Sequence, residues 1–223
     1  MIFEKTMQTM KDFDSVIQAA NETFRTAKKT ALETYKEPMA TQKLREARDV
    51  LTEVKVRETQ NARAAVMADF AAVRGKVNEV VTAAVPADFP ATLAAIQAKG
   101  KNVSDYEAEA FSEKYKGNYM AFTTILDVLH NAGKASSLIA YKPDAIEYQI
   151  KEIERTVLHW VQTHADSNTD GYMTALLTSD EHSLVMKLAA EVQAFLDGGY
   201  TLGADDAAQL AAALAAQNAQ ANA

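Results

Sequence analysis

Apolar residues near the start of the chain recur as Phe13, Ile17, Ala20, Phe24, Ala27 and Ala31, at 4-3-4-3-4 spacing. That is the a/d rhythm of a helix packed along a seam. Glu37-Pro38 interrupts it. Proline lacks the amide hydrogen that the helical ladder needs but suits a first turn, so a second helix is predicted to begin there. The rhythm resumes as Leu44, Ala47, Leu51 and Val54, passes through Glu58 and Ala62, and recovers as Val66, Phe70, Val73, Val77 and Val80. The steps 54-58-62-66-70 are all fours. Such a stutter locally unwinds a supercoil, and it coincides with the polar run Arg57-Glu58-Thr59-Gln60-Asn61. A helix over 39–84 would be roughly 70 Å long at 1.5 Å per residue. Either the first helix folds back on it as a hairpin, or both zip to other copies. The stripe is narrow and rich in Ala and Val, which favours helix-on-helix contact over burial in a globular core.

Val85-Pro86-Ala87-Asp88-Phe89-Pro90 ends this region with two prolines close together. Shorter helices with clear punctuation follow. Asp88 is placed to cap a helix carrying Leu93 and Ile96 and stopping at Gly100. Ser104-Asp105-Tyr106-Glu107 reads as a capping box opening a helix that ends by Gly117. Asn118 caps the next, with Phe122, Ile125, Leu126 and Leu129 on its inner face. Pro143-Asp144 opens the most regular helix, through Ile146, Ile150, Ile153, Val157, Trp160, Val161 and His164. A last helix is predicted from Thr178-Ser179-Asp180 to Gly198-Gly199. No stretch alternates with period two, so the expected class is all-α: a long two-helix coiled-coil arm followed by a small multi-helix bundle. The predicted organisation is an arm over 1–85, an acidic helical bundle over 86–200 and a flexible tail over 201–223. Eleven of the twenty residues from 204 to 223 are alanine.

Charge reinforces that boundary. Residues 1–85 hold 14 basic and 12 acidic side chains, net +2, whereas 86–223 hold 9 and 18, net −9. The total of −7 argues against a general nucleic-acid binder, which needs a basic surface to release counterions. The basic runs Arg25 to Lys29 and Lys43 to Arg48 are matched by Glu33, Glu37, Glu46 and Asp49, and read as solvated helix faces. The absence of cysteine removes disulfides, thiolate nucleophiles and cysteine-ligated metals. No apolar run reaches the roughly 18 residues of a membrane-spanning helix. Met1-Ile2-Phe3-Glu4-Lys5 does not begin a signal peptide, so no membrane association and a cytoplasmic or virion location are expected.

Candidate chemistry is sparse. Asp166-Ser167-Asn168-Thr169-Asp170-Gly171 matches positions 1, 3, 5 and 6 of an EF-hand calcium loop, with Asp166, Asn168 and Asp170 as ligands. Position 12 is Leu177 where a bidentate glutamate is needed, so any calcium affinity should be weak, and plain Asx turns explain the same residues. Of the four histidines, His159 and His164 face different sides of a helix, and His164 continues the apolar stripe as a core or cap residue. Asp127 and His130 form half of a di-iron pattern whose second half is missing. No nucleophile elbow, phosphate-binding loop or dinucleotide fingerprint occurs, so an enzyme is not expected and no cofactor is implied beyond that calcium.

The stretch Glu113-Lys114-Tyr115-Lys116-Gly117-Asn118-Tyr119-Met120-Ala121 resembles prophage proteins of intestinal Firmicutes. A long mixed-charge helical arm joined to a small acidic helical domain with an Ala/Gln tail is similar to structural and assembly proteins of tailed-phage head modules. The resemblance implies a virion or head-morphogenesis component, and it carries over no site residue. It departs from scaffolding proteins, which end in a basic helix–loop–helix, because no Lys or Arg follows Lys187. The expected function is therefore non-enzymatic: a structural or assembly protein acting through helix–helix contacts, as a homo-oligomer or with other structural proteins. Phe13, Ile17, Phe24, Leu51, Val66, Phe70, Val73 and Val77 are the predicted interface. The alternative is a calcium-dependent binding module built on the Asp166–Gly171 loop.

Overall fold

The computed structural model describes residues 2–134, 140, 142–166 and 179–200. The chain is all-α. Its described helices are α1 (Glu4–Thr34), α2 (Met39–Val81), α3 (Phe89–Lys99), α4 (Asp105–Tyr115), α5 (Tyr119–Asn131), α6 (Pro143–Asp166) and α7 (Ser179–Leu196), with a 3-10 turn at Gly100–Asn102. Among the described residues no helix is long and apolar enough to cross a membrane.

Compactness divides the chain into residues 1–74 with 149–190, and 75–148 with 191–223. This differs from the contiguous 1–85 and 86–200 division that composition suggested. The reason lies in α6. The boundary at residue 148 falls within this helix, whose C-terminal part packs on α1 and α2.

In the first unit α1 folds back along α2. Phe3 packs on Phe70 with ring centroids 4.8 Å apart. The Thr6 amide donates to Oδ2 of Asp69 at 3.1 Å, and its hydroxyl donates to the same oxygen at 2.5 Å. Residue numbers that face each other sum to about the same value at both contacts, which defines an antiparallel hairpin. The α6 helix lies against the pair. Trp160 meets Phe13 edge-on at 6.1 Å, and Arg74 donates to Glu154 at 2.7 Å. Met10, Phe13, Ile17, Val66, Phe70 and Val73 are buried, as are Ile150, Ile153, Val157 and Val161 of α6. The predicted stutter does not interrupt α2, but burial there falls on Thr59 and Ala62 and passes over Glu58. Gln162 and Ala165 of α6 share a surface depression with Thr59, so the burial stripe shifts toward the third helix.

In the second unit the caps form largely as the sequence predicts. Glu107 N–H donates to Ser104 Oγ at 3.2 Å while Ser104 N–H donates to Glu107 at 3.0 Å, completing the capping box. Asn118 Oδ1 accepts from Ala121 N–H at 2.9 Å. Asp88 occupies the cap position of α3, but its carboxylate makes no cap bond. It is taken instead by the Tyr115 hydroxyl at 3.0 Å and Lys114 Nζ at 2.5 Å. Phe89, Ile96, Val103, Tyr115, Ala121, Ile125 and Leu129 form the core. A second cluster joins Tyr119, Phe195 and Tyr200, each pair 5.3–5.4 Å apart. Gly198, at φ 89°, makes this possible: Gly199 N–H donates back to Ala194 at 2.8 Å, and the chain reverses to bring Tyr200 inward. Burial pushes the Tyr119 and Tyr200 phenols above their ordinary pKa.

Candidate functional site

The tip of the α1–α2 hairpin is built differently from its base. At the base, α1 buries Thr6, Met10, Phe13 and Ile17 in succession; beyond Ile17 the next fully buried α1 residue is Ala31. Between them Ala20, Phe24 and Ala27 are half-buried, as are Ala47, Leu51 and Val54 across from them on α2. Two helices alone leave each seam residue open on both flanks, because a helix needs neighbours on more than one side to bury its apolar stripe.

One flank of this tip is an apolar groove of about 560 Å³. Its floor is Ala20, Phe24 and Ala27 of α1 with Ala47, Leu51 and Val54 of α2. Val16 and Val50 stand on its rim, 41% and 58% exposed. The three alanines of the floor leave room for a protruding valine or leucine. Lys43 and Glu46 also line the groove, with Lys43 Nζ donating to Glu46 at 2.8 Å. The hydrogen bond to Glu46 raises the Lys43 pKa above its ordinary value, and bonds from Lys43 and then Gln42 hold Glu46 below the usual carboxylate range. Both groups are solvent-exposed, so this pair adds little to stability. It leaves the rim with no net charge.

The eight predicted interface residues fall into two sets. Phe13, Ile17, Val66, Phe70, Val73 and Val77 are buried within the chain itself. Of these, Phe13, Ile17, Val66, Phe70 and Val73 belong to the first unit, whereas Val77 belongs to the second. Phe24 and Leu51 line the open groove. The rim residues Val16 and Val50 escaped sequence reasoning because each lies one column beside the strict a/d stripe. Their signal was present as the i,i+4 pairs Val16/Ala20 and Val50/Val54.

Asp166 ends α6, whereas Asn168 and Asp170 of the calcium-loop motif lie outside the described residues. The tail from 201 onward also lies outside them. Among the described residues no group of three or more His, Asp or Glu side chains is placed to hold a metal. His164 is buried and stacked on Trp160, the core role its position in the stripe suggests. No family model, curated protein or solved structure matches the chain.

Proposed function

We propose that this is a non-enzymatic structural or assembly protein that associates with copies of itself through the apolar groove at the hairpin tip. The open groove of Ala20, Phe24, Ala27, Ala47, Leu51 and Val54, rimmed by Val16 and Val50, is the observation that carries this. The rim valines and the alanine floor lie on one face, so two copies related by a two-fold axis can seat each other's ridges in their grooves. Lys43 and Glu46 supply both signs of charge on that face, which suits a self-complementary contact. The resemblance of residues 113–121 to prophage proteins accords with assembly work of this kind.

Size sets the strength. From Val16 to Ala27 the groove runs roughly 17 Å at 1.5 Å per residue. A face of that length falls below the ~1,000 Å² expected of a tight interface, so association should be weak and driven by concentration.

Light scattering behind a sizing column, over a wide concentration range, tests the proposal. The expected mass rises above 24.3 kDa with concentration for the native chain. The exposed-site variant Val16→Glu with Val50→Glu should stay monomeric while keeping its helical circular dichroism. A native chain that remains monomeric throughout, or a variant that associates equally well, rejects it.

A further inference from the structure

The other flank of the hairpin tip has opposite chemistry. There a cleft of about 800 Å³ opens between α1 and α2. Arg25, Lys28, Lys29, Arg48 and Lys55 line it, and no carboxylate does. The acidic residues that balance these cations in sequence, Glu33, Glu37, Glu46 and Asp49, are therefore placed elsewhere by the helical turn. Arg25 reaches Glu22 at 3.5 Å, in a pair open to solvent. Lys28, Lys29 and Arg48 make no ion pair among the described residues. Beneath the cations lie Phe24 and Leu51, with Leu32 at the edge, 57% exposed. Holding Lys28, Lys29 and Arg48 together over an apolar floor costs self-repulsion, which an anionic occupant would relieve.

The cleft also continues a slot that is already filled by a helix. Thr52 and Lys55 line both this cleft and the depression formed with Gln162 and Ala165 near the end of α6. On α1, Asp14, which contacts His164 of α6, lies on the same helical column as Asn21, Arg25 and Lys28. The α6 helix thus occupies the third-helix position along the base of the hairpin up to Asp166. Along the tip that position is lined by the basic cleft.

We propose that this cleft is the docking site for an acidic amphipathic helix of a partner protein. Apolar side chains of the incoming helix would cover Phe24, Leu51 and Leu32, and its carboxylates would meet Lys28, Lys29 and Arg48. The column from Asn21 to Leu32 is roughly 17 Å long, which accommodates about three helical turns. A polypeptide is favoured over a nucleic acid for two reasons. The floor is half-buried and holds a single ring, Phe24, which offers no platform on which successive bases could stack. The five cations line one cleft between α1 and α2, while the chain as a whole carries −7. This docking uses the flank opposite the apolar groove and holds whether or not the protein self-associates.

The test uses the full chain and a fluorescein-labelled designed peptide of about 16 residues, with Leu at i, i+3, i+4 and i+7 spacing and Glu on the flanking positions. Fluorescence anisotropy should rise and saturate with the native protein. Binding should weaken about tenfold or more in Lys28→Glu with Arg48→Glu, and weaken as salt shortens the screening length. The floor variant Leu32→Ser, at an exposed site, should weaken it as well. A peptide with Ser in place of Leu should not bind. Absence of binding to native protein, or equal binding by the charge-reversed variant, overturns the proposal. So does a polyuridine RNA that binds in the same charge-dependent way while the peptide does not. If the charge-reversed variant melts several degrees lower and the native chain ignores the peptide, the slot belongs to the chain's own residues, and the proposal again fails.

Discussion

Nε2 of His164 lies 2.7 Å from Oδ1 of Asp14, so the end of α6 is tied to the first third of α1 by a buried polar contact. The imidazole is stacked on Trp160 at 4.6 Å, with the rings only 16° from parallel, and Phe13 approaches it at 6.0 Å. Aromatic walls on two sides hold the ring in one orientation, with its Nε2 edge toward the carboxylate.

Removing the carboxylate leaves the buried imidazole without the polar neighbour it faces. Asp14→Ala should therefore destabilise the protein by about 1–3 kcal/mol. Urea unfolding followed by circular dichroism reads the change, and Asp14→Asn, which keeps an acceptor oxygen, should recover part of it. An unchanged midpoint for Asp14→Ala would show that the contact contributes nothing.

Phe70 and Phe24 occupy equivalent places in the apolar rhythm but different places in the fold. Phe70 is fully buried against Phe3, and Phe24 lines an open groove. Phe70→Ala should cost about 3–5 kcal/mol, while Phe24→Ala should cost clearly less. Denaturant titration of the two variants checks this, and equal losses would contradict the division between base and tip.

Glu107 accepts from Lys99, from the Ser104 amide and from the Ser104 hydroxyl. These bonds, that of Lys99 foremost, pull its carboxyl from 4.5 down to about 2. A carboxylate with a depressed folded pKa contributes stability that is complete above its unfolded value and disappears as pH falls through the folded one. The loss should thus occur between about pH 4.5 and pH 2. Because the group is solvent-exposed, the effect should be modest and smaller at high salt. Melting temperatures across that window should fall less steeply in Glu107→Gln than in the native chain; parallel curves would refute the assignment.

Much of the helical architecture was legible because its signals are local. Pro38 and Pro86 fall in the breaks between helices and Pro90 in the first turn of α3, positions that their backbone chemistry favours. Ser104/Glu107 and Asn118 cap the helices they precede, and Gly198 ends α7, because each motif closes within a few residues. Asp88 marks the limit of that logic. It stands where a cap is expected, yet its carboxylate goes to Lys114 and Tyr115, residues distant in sequence that local pattern cannot weigh.

The apolar seam shows the same divide at a larger scale. Periodicity by itself determined that α1 and α2 are helices and which face of each is apolar, since a 3.5-residue repeat admits no other regular structure. It could not determine what covers that face, because a stripe of Ala, Val and Phe packs equally well on its own neighbour or on another copy. Tertiary structure decided it: α1 turns back on α2, α6 covers the base, and Phe13, Ile17, Val66, Phe70 and Val73 become core. The same folding leaves Phe24 and Leu51 between an apolar groove and a basic cleft. Balanced charges along a sequence become a one-signed surface when helical turn sends the acids and bases to different sides. That sorting depends on which helices meet and in what register, and those are properties of contacts between residues far apart in the chain.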